Sequence, residues 1–155
     1  TIIASLVGHL YLIRANLHPK KLNQLKIIYN NMIAMTFIAL FFTLFGTILG
    51  GIWGDQSWGR FWGWDPKENG ALLIVMWLIM LIHLRISGLV KAPGYAFVLV
   101  LANITVALAW FGVNLLSVGL HSYGFTDGAA LNLLIFIILE LCFGLLLFLR
   151  IKKNQ

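Results

Sequence analysis

Charge is what this sequence has least of. Only 10% of its 155 residues are Asp, Glu, Lys or Arg, where an ordinary globular chain has about a quarter. Hydrophobic residues make up 61% of the chain, and the mean hydropathy is +0.93. A soluble domain of this length cannot hide so much apolar surface, so the bilayer is its natural solvent. Acidic residues are the scarcer sign, five against eleven basic ones, leaving a net charge of +6. The basic residues form no single patch of the kind that binds nucleic acid. They recur in short clusters between apolar runs, which is how membrane topology is written.

Cysteine is nearly missing too. Cys142 stands alone inside an apolar run, which excludes an intrachain disulfide, a Cys-x-x-Cys redox pair and a Cys/His metal cluster. There is no internal repeat, no low-complexity tract and no soluble domain. The opening apolar stretch Thr1–Ile13 has neither a basic start nor a cleavage site, and it is too short to span. It is expected to be the tail of a helix, and the chain a fragment of a longer protein.

What is present is four apolar segments near the 20 residues that a spanning helix needs: Asn30–Trp53, Pro66–Ile86, Tyr95–Ser117 and Ala129–Leu149. None carries the one-sided polar stripe of a helix lying flat at the interface. The expected fold is all-α: a polytopic transmembrane bundle of four complete spans plus an N-terminal partial span, forming one membrane domain over residues 1–155. Nine of the eleven basic residues fall on one side of these spans, which the positive-inside rule makes cytoplasmic. Two connections then face outward, a Trp-rich loop over 52–68 and a His-bearing loop over 118–128.

Four of the six tryptophans lie between Trp53 and Trp64, interleaved with glycines. An aromatic belt at the membrane interface is one reading. The other is a surface of flat rings for a large planar apolar ligand, with Arg60 and Lys67 placed to meet its anionic groups. Asp65, Pro66 and Glu68 also have a purely structural reading. They suit the N-cap, first and third positions of a helix, and close a capping box.

The run Trp58-Gly59-Arg60-Phe61-Trp62-Gly63-Trp64-Asp65-Pro66-Lys67-Glu68 resembles the tryptophan-rich signature of the cytochrome c assembly protein family. A second block, Phe111 to Gly124, is similar to the segment that carries an external haem-ligating histidine in the family's CcsA-like branch. The resemblance covers nearly the whole chain from about Asn30 on, and matches the C-terminal portion of such proteins. Gly70 departs from it, because many relatives carry another Trp there.

The resemblance implies export and handling of haem b, and its presentation for covalent attachment to the Cys-x-x-Cys-His motif of apocytochrome c. The chain would then be a component of a cytochrome c haem lyase. Trp58, Phe61, Trp62 and Trp64 would hold the porphyrin, with Arg60 and Asp65 of the same motif. His121 and His83 would be axial ligands of haem iron, a role that neutral imidazole fills readily. The two cannot share one iron, since His83 lies roughly 25 Å along its helix from Pro66. A second external histidine would come from a missing N-terminal part or a CcsB-like partner. The setting would be a bacterial inner membrane or a thylakoid-type membrane, with the Trp loop toward periplasm or lumen. Rival readings are a haem relay without attachment activity, and a non-haem transporter subunit whose Trp loop is only a belt.

Other residues stay open. His9 is expected near the depth of His83 and is a candidate partner for it; His18 is expected to be solvated. Glu140 falls about halfway through its span, where a carboxylate is costly and invites a functional reading. Asn103 falls at similar depth on the preceding span, so a Glu140–Asn103 hydrogen bond between helices is the plainer account. Cys142 and Met76 are expected to be packing residues. Trp77 and Trp110 can face either haem or lipid.

Overall fold

The computed structural model describes residues 1–116, 118–119 and 128–153. Among these the regular secondary structure is all helical. It has α1 (Ile2–Leu17), α2 (Leu22–Trp58), α3 (Pro66–Ile86), α4 (Ala92–Ala107) and α5 (Ala129–Lys153). After Ala107, α4 continues as a π turn over Leu108–Gly112 and a 3-10 turn over Val113–Leu116. Four helices are long and apolar enough to cross a membrane, counting α4 with its continuation; α1 is the shorter fifth.

The spans are where hydropathy puts them, with shifted ends. α3 matches its expected bounds because its start is written locally. Asp65 caps it by accepting from the Lys67 amide at 3.0 Å, and the Glu68 carboxylate accepts from the Asp65 amide at 3.1 Å, completing the capping box. α2 is longer than the apolar window Asn30–Trp53 by more than two turns before it and more than one after. Hydropathy registers only the lipid-facing part of a helix. Nothing between Leu22 and Trp58 forces a stop until Gly59, which takes the left-handed conformation (φ 70°) at the C-cap. The segment 52–68 is therefore not all loop. Ile52–Trp58 belongs to α2, Pro66–Glu68 opens α3, and only 59–65 connect them.

α1 packs chiefly against α4, through a face of small residues. A Cβ on Gly8 would stand 3.1 Å from the Ala96 carbonyl oxygen, and the Ser5 hydroxyl donates to the Val100 carbonyl at 3.2 Å. Small side chains let two backbones approach where lipid offers no hydrophobic drive. The core lies toward the end of the bundle that carries the basic residues. Tyr95, Leu12, Met32, Leu78, Leu81 and Leu99 are fully buried there. The Tyr95 hydroxyl donates to Thr36 Oγ1 at 2.9 Å, tying α4 to α2.

Toward the tryptophan end the packing changes. On α2 the buried residues stop at Ala39 and resume only at Gly51. Between them, Gly46 and Gly50 have no atom within 4 Å of where a Cβ would stand. A cavity opens beside this stretch, bordered on another side by Thr1, Ile2 and Ile3 at the start of α1.

Candidate functional site

The cavity has a volume of about 1160 Å³, at the upper end of ordinary ligand pockets. Its α2 wall carries a stripe of small residues, Thr43, Gly46, Thr47, Gly50 and Gly54, beside the ring-bearing Phe42. Trp53, Trp58, Phe61 and Trp62 close it at the tryptophan end. Ile2 and Ile3 of α1 and Ile74 of α3 line it more deeply, and Trp110 joins from the π turn beyond α4. A wall of small residues facing aromatic rings suits a wide planar ligand better than a flexible chain.

The connection 59–65 is held by short-range bonds. Glu68 Oε2 accepts from the Gly63 amide at 2.8 Å as well as from Asp65. The Phe61 ring lies directly on α2, because a Cβ on Gly51 would stand 2.8 Å from its edge. The Arg60 guanidinium lies over Gly63, in the space where a Cβ would sit. Trp64 adopts φ 57°, a conformation that costs a non-glycine residue about 1–3 kcal/mol. Its carbonyl accepts from Asn69 Nδ2 at 3.1 Å, and its ring meets that of Trp62 edge-on at 6.0 Å.

Of the residues singled out in the motif, Trp58, Phe61, Trp62, Lys67 and Glu68 line the cavity. Trp64 stands outside it, 70% exposed, with its edge contact to Trp62. Arg60 and Asp65 do not line it either. Asp65 is 4% exposed and serves the α3 cap. Contributors outside the motif include Trp53, Trp110 and the α2 stripe, besides Ile2, Ile3 and Ile74. Helical spacing of Thr43, Gly46, Thr47, Gly50 and Gly54 is the signal that sequence offers for the stripe.

Gly70 has a local reason to be glycine. A Cβ there would stand 2.9 Å from Ala109 Cα, so the backbone beyond α4 occupies the space that a larger side chain would need.

The histidines separate. His121 lies outside the described residues. Gly119, two positions before it in sequence, packs against Asp65 and Pro66 at the start of α3. His83 is exposed near the basic end, and its Nδ1 donates to the Ile79 carbonyl at 2.8 Å. That bond fixes the tautomer and turns the Nε2 lone pair outward, as in ligating histidines.

His9 is not beside His83. Its Nε2 lies 3.3 Å from Glu140 Oε1, its Nδ1 donates to the Ser5 carbonyl at 2.9 Å, and its ring stacks on Phe143 at 5.7 Å. The same Glu140 oxygen accepts from Asn103 Nδ2 at 2.8 Å, the interhelical bond that matching depths suggest. Trp77 also resolves into a packing role, its Nε1 donating to the Val98 carbonyl at 3.2 Å. Among the described residues, no three His, Cys, Asp or Glu side chains converge as a metal site.

The cap is testable apart from any ligand. Asp65→Ala should lower stability by about 1 kcal/mol, the usual worth of an N-cap, and free the Gly119 segment. Thermal unfolding in detergent and amide exchange at 118–119 would read the two effects. Unchanged exchange there would show that Asp65 does not hold that segment.

Residues 1–121 match the family described as cytochrome C assembly protein. Relatives named cytochrome c biogenesis protein CcsA include one from Solanum lycopersicum, 37% identical over 73 residues, covering 47% of this chain and 23% of that protein. One from Synechococcus sp. (strain CC9902) is 41% identical over 73 residues, covering 47% and 24%. One from Lobularia maritima is 34% identical over 103 residues, covering 66% and 31%. The chain thus spans less than a third of the length of these relatives. No solved structure matches. With the family match running from α1 past the Trp connection to residue 121, this chain belongs to the cytochrome c assembly protein family.

Proposed function

We propose that the cavity holds haem b at the outer face of the membrane, for covalent attachment to apocytochrome c. The observation that carries this reading is the cavity itself: a glycine-rich wall on α2 facing Trp58, Phe61 and Trp62, in a member of a cytochrome c assembly family. Bound haem supplies iron for axial ligation and vinyl groups for thioether formation. The chain supplies contact area, exclusion of water and orientation. Trp58 and Trp62 hold the porphyrin by their faces and edges, and Trp64 covers it from outside. Lys67, which lines the cavity, and Arg60, on the connection, meet the propionates.

His121, two residues along the sequence from the Gly119 that packs on the α3 cap, would supply an imidazole to the haem iron. His83, whose Nδ1 is taken up by the Ile79 carbonyl, would offer Nε2 to a second haem near the cytoplasmic face. Further histidines come from an N-terminal part or from a CcsB-like partner. The thiols that react belong to the Cys-x-x-Cys-His motif of the apocytochrome, so the chain acts by positioning. The membrane is a bacterial inner or thylakoid-type membrane.

Topology gives one test. Nine of eleven basic residues lie at the end away from the Trp connection. Cysteines introduced at Ser57 and Lys20 should therefore react with an impermeant maleimide from opposite sides, Ser57 from the periplasm or lumen. Labelling from the same side would end this reading. Function gives the other. The full-length protein co-expressed with an apocytochrome should yield cytochrome with covalently bound haem. Haem on the protein without attachment would make it a relay instead.

A further inference from the structure

We propose that Trp110, outside the tryptophan-rich motif, is a binding residue for the planar ligand of the cavity, held in place by Lys67. The inference rests on the cavity being a haem site and concerns which residues recognise the ring.

Trp110 sits in the π turn Leu108–Gly112 that succeeds α4. A π turn inserts one residue into a helix and swings the next residues round the axis, a device common at functional sites. The turn is fixed on two sides. Ala109, just before Trp110, lies against Gly70, where a Cβ would stand 2.9 Å from Ala109 Cα and 3.0 Å from its carbonyl oxygen. These are backbone atoms that cannot swing away. The Lys67 ammonium then donates to the Trp110 carbonyl at 2.9 Å.

Lys67 is in the first turn of α3, one residue before Glu68, whose carboxylate holds the Gly63 and Asp65 amides. The position of Trp110 is thereby set by the same turn that sets Trp62. Both residues line the cavity, from α4's continuation and from the connection respectively. Trp110 is 61% exposed, so its ring is at the mouth and not locked in the core. It has surface to give up when a ligand binds.

The competing role is an interfacial belt ring that meets only lipid. Phe111 separates the two, because it is the next residue, 57% exposed, and not part of the cavity wall. Hemin should be titrated into the detergent-solubilised full-length protein, and affinity read from the Soret band. Trp110→Ala should weaken binding about tenfold, a typical loss for an aromatic contact with its buried area. Trp110→Phe should recover most of it, and Phe111→Ala should leave it unchanged. Trp110→Leu serves in place of the alanine variant if the latter folds poorly. Equal affinity for wild type and Trp110→Ala, or equal weakening by Trp110→Ala and Phe111→Ala, would overturn the inference. Failure of the wild type to take up hemin would instead overturn the reading of the cavity as a haem site.

Discussion

Replacing Glu140 with alanine is expected to destabilise the bundle by about 3–5 kcal/mol, the range seen when one partner of a buried polar pair is removed. Glu140 accepts from Asn103 on α4 and meets His9 on α1, so its loss strands two polar groups inside the membrane and removes one tie from α5 to each of those helices. Two lighter contacts also anchor α5. Asn16 Nδ2 donates to the Leu147 carbonyl at 3.0 Å, and Gly144 packs on Phe97 and Val100. Glu140→Gln should behave differently. Its amide oxygen can take the place of Oε1 and still accept from Asn103 Nδ2. Unfolding in detergent should therefore rank wild type and Glu140→Gln together, well above Glu140→Ala. Attachment activity in the full-length protein should survive the glutamine. Activity lost from an abundant, folded Glu140→Gln protein would show that the pair moves protons or lines a haem path.

His121→Ala is expected to abolish attachment and change the haem spectrum, with partial recovery on adding imidazole. The small molecule can fill an empty coordination position. Trp62→Ala should fail in another way. What it loses is contact area against the porphyrin, so haem occupancy falls and imidazole does not restore it. Both variants belong in the full-length protein, where further histidines are present. A His121→Ala protein with unchanged spectrum and attachment would remove the ligand assignment, and the outer site would have to be rebuilt from other residues.

The parts of this fold that can be read from the sequence are those written by neighbours along the chain. Four spans come from hydropathy, and the start of α3 comes from Asp65, Pro66 and Glu68, whose capping bonds reach no further than three residues. The tryptophan cluster is equally visible. Its division is not. Trp53 and Trp58 lie on the last turns of α2, Trp62 is on the connection, and Trp64 is turned outward by a left-handed backbone.

The α2 wall is illegible for a different reason. Gly46 and Gly50 look like ordinary small residues in a spanning helix, and only the tertiary arrangement shows that nothing packs on them. The depth of His9 is misread through a helix end. Hydropathy ends the first apolar stretch at Ile13, whereas α1 runs to Leu17, which sets His9 about 6 Å deeper, level with Glu140 and away from His83. Asn103 and Glu140 pair as expected because both sit on full spans, whose rises can be counted from either end.

The central claim is that the gap between α2 and the rest of the bundle is where haem sits, and filling the gap tests it most directly. Gly50 lines the cavity and has no atom within 4 Å of a would-be Cβ, so Gly50→Leu adds a side chain where the fold has room. Glycine is about 1 kcal/mol less favourable than alanine in a helix interior, so the change should not lower stability. Purified full-length wild type should show a Soret band. The Gly50→Leu protein, equally folded and abundant, should carry about tenfold less haem or lower still, as expected for forcing a side chain into an occupied site. A Soret band of the same height in both proteins would contradict the account.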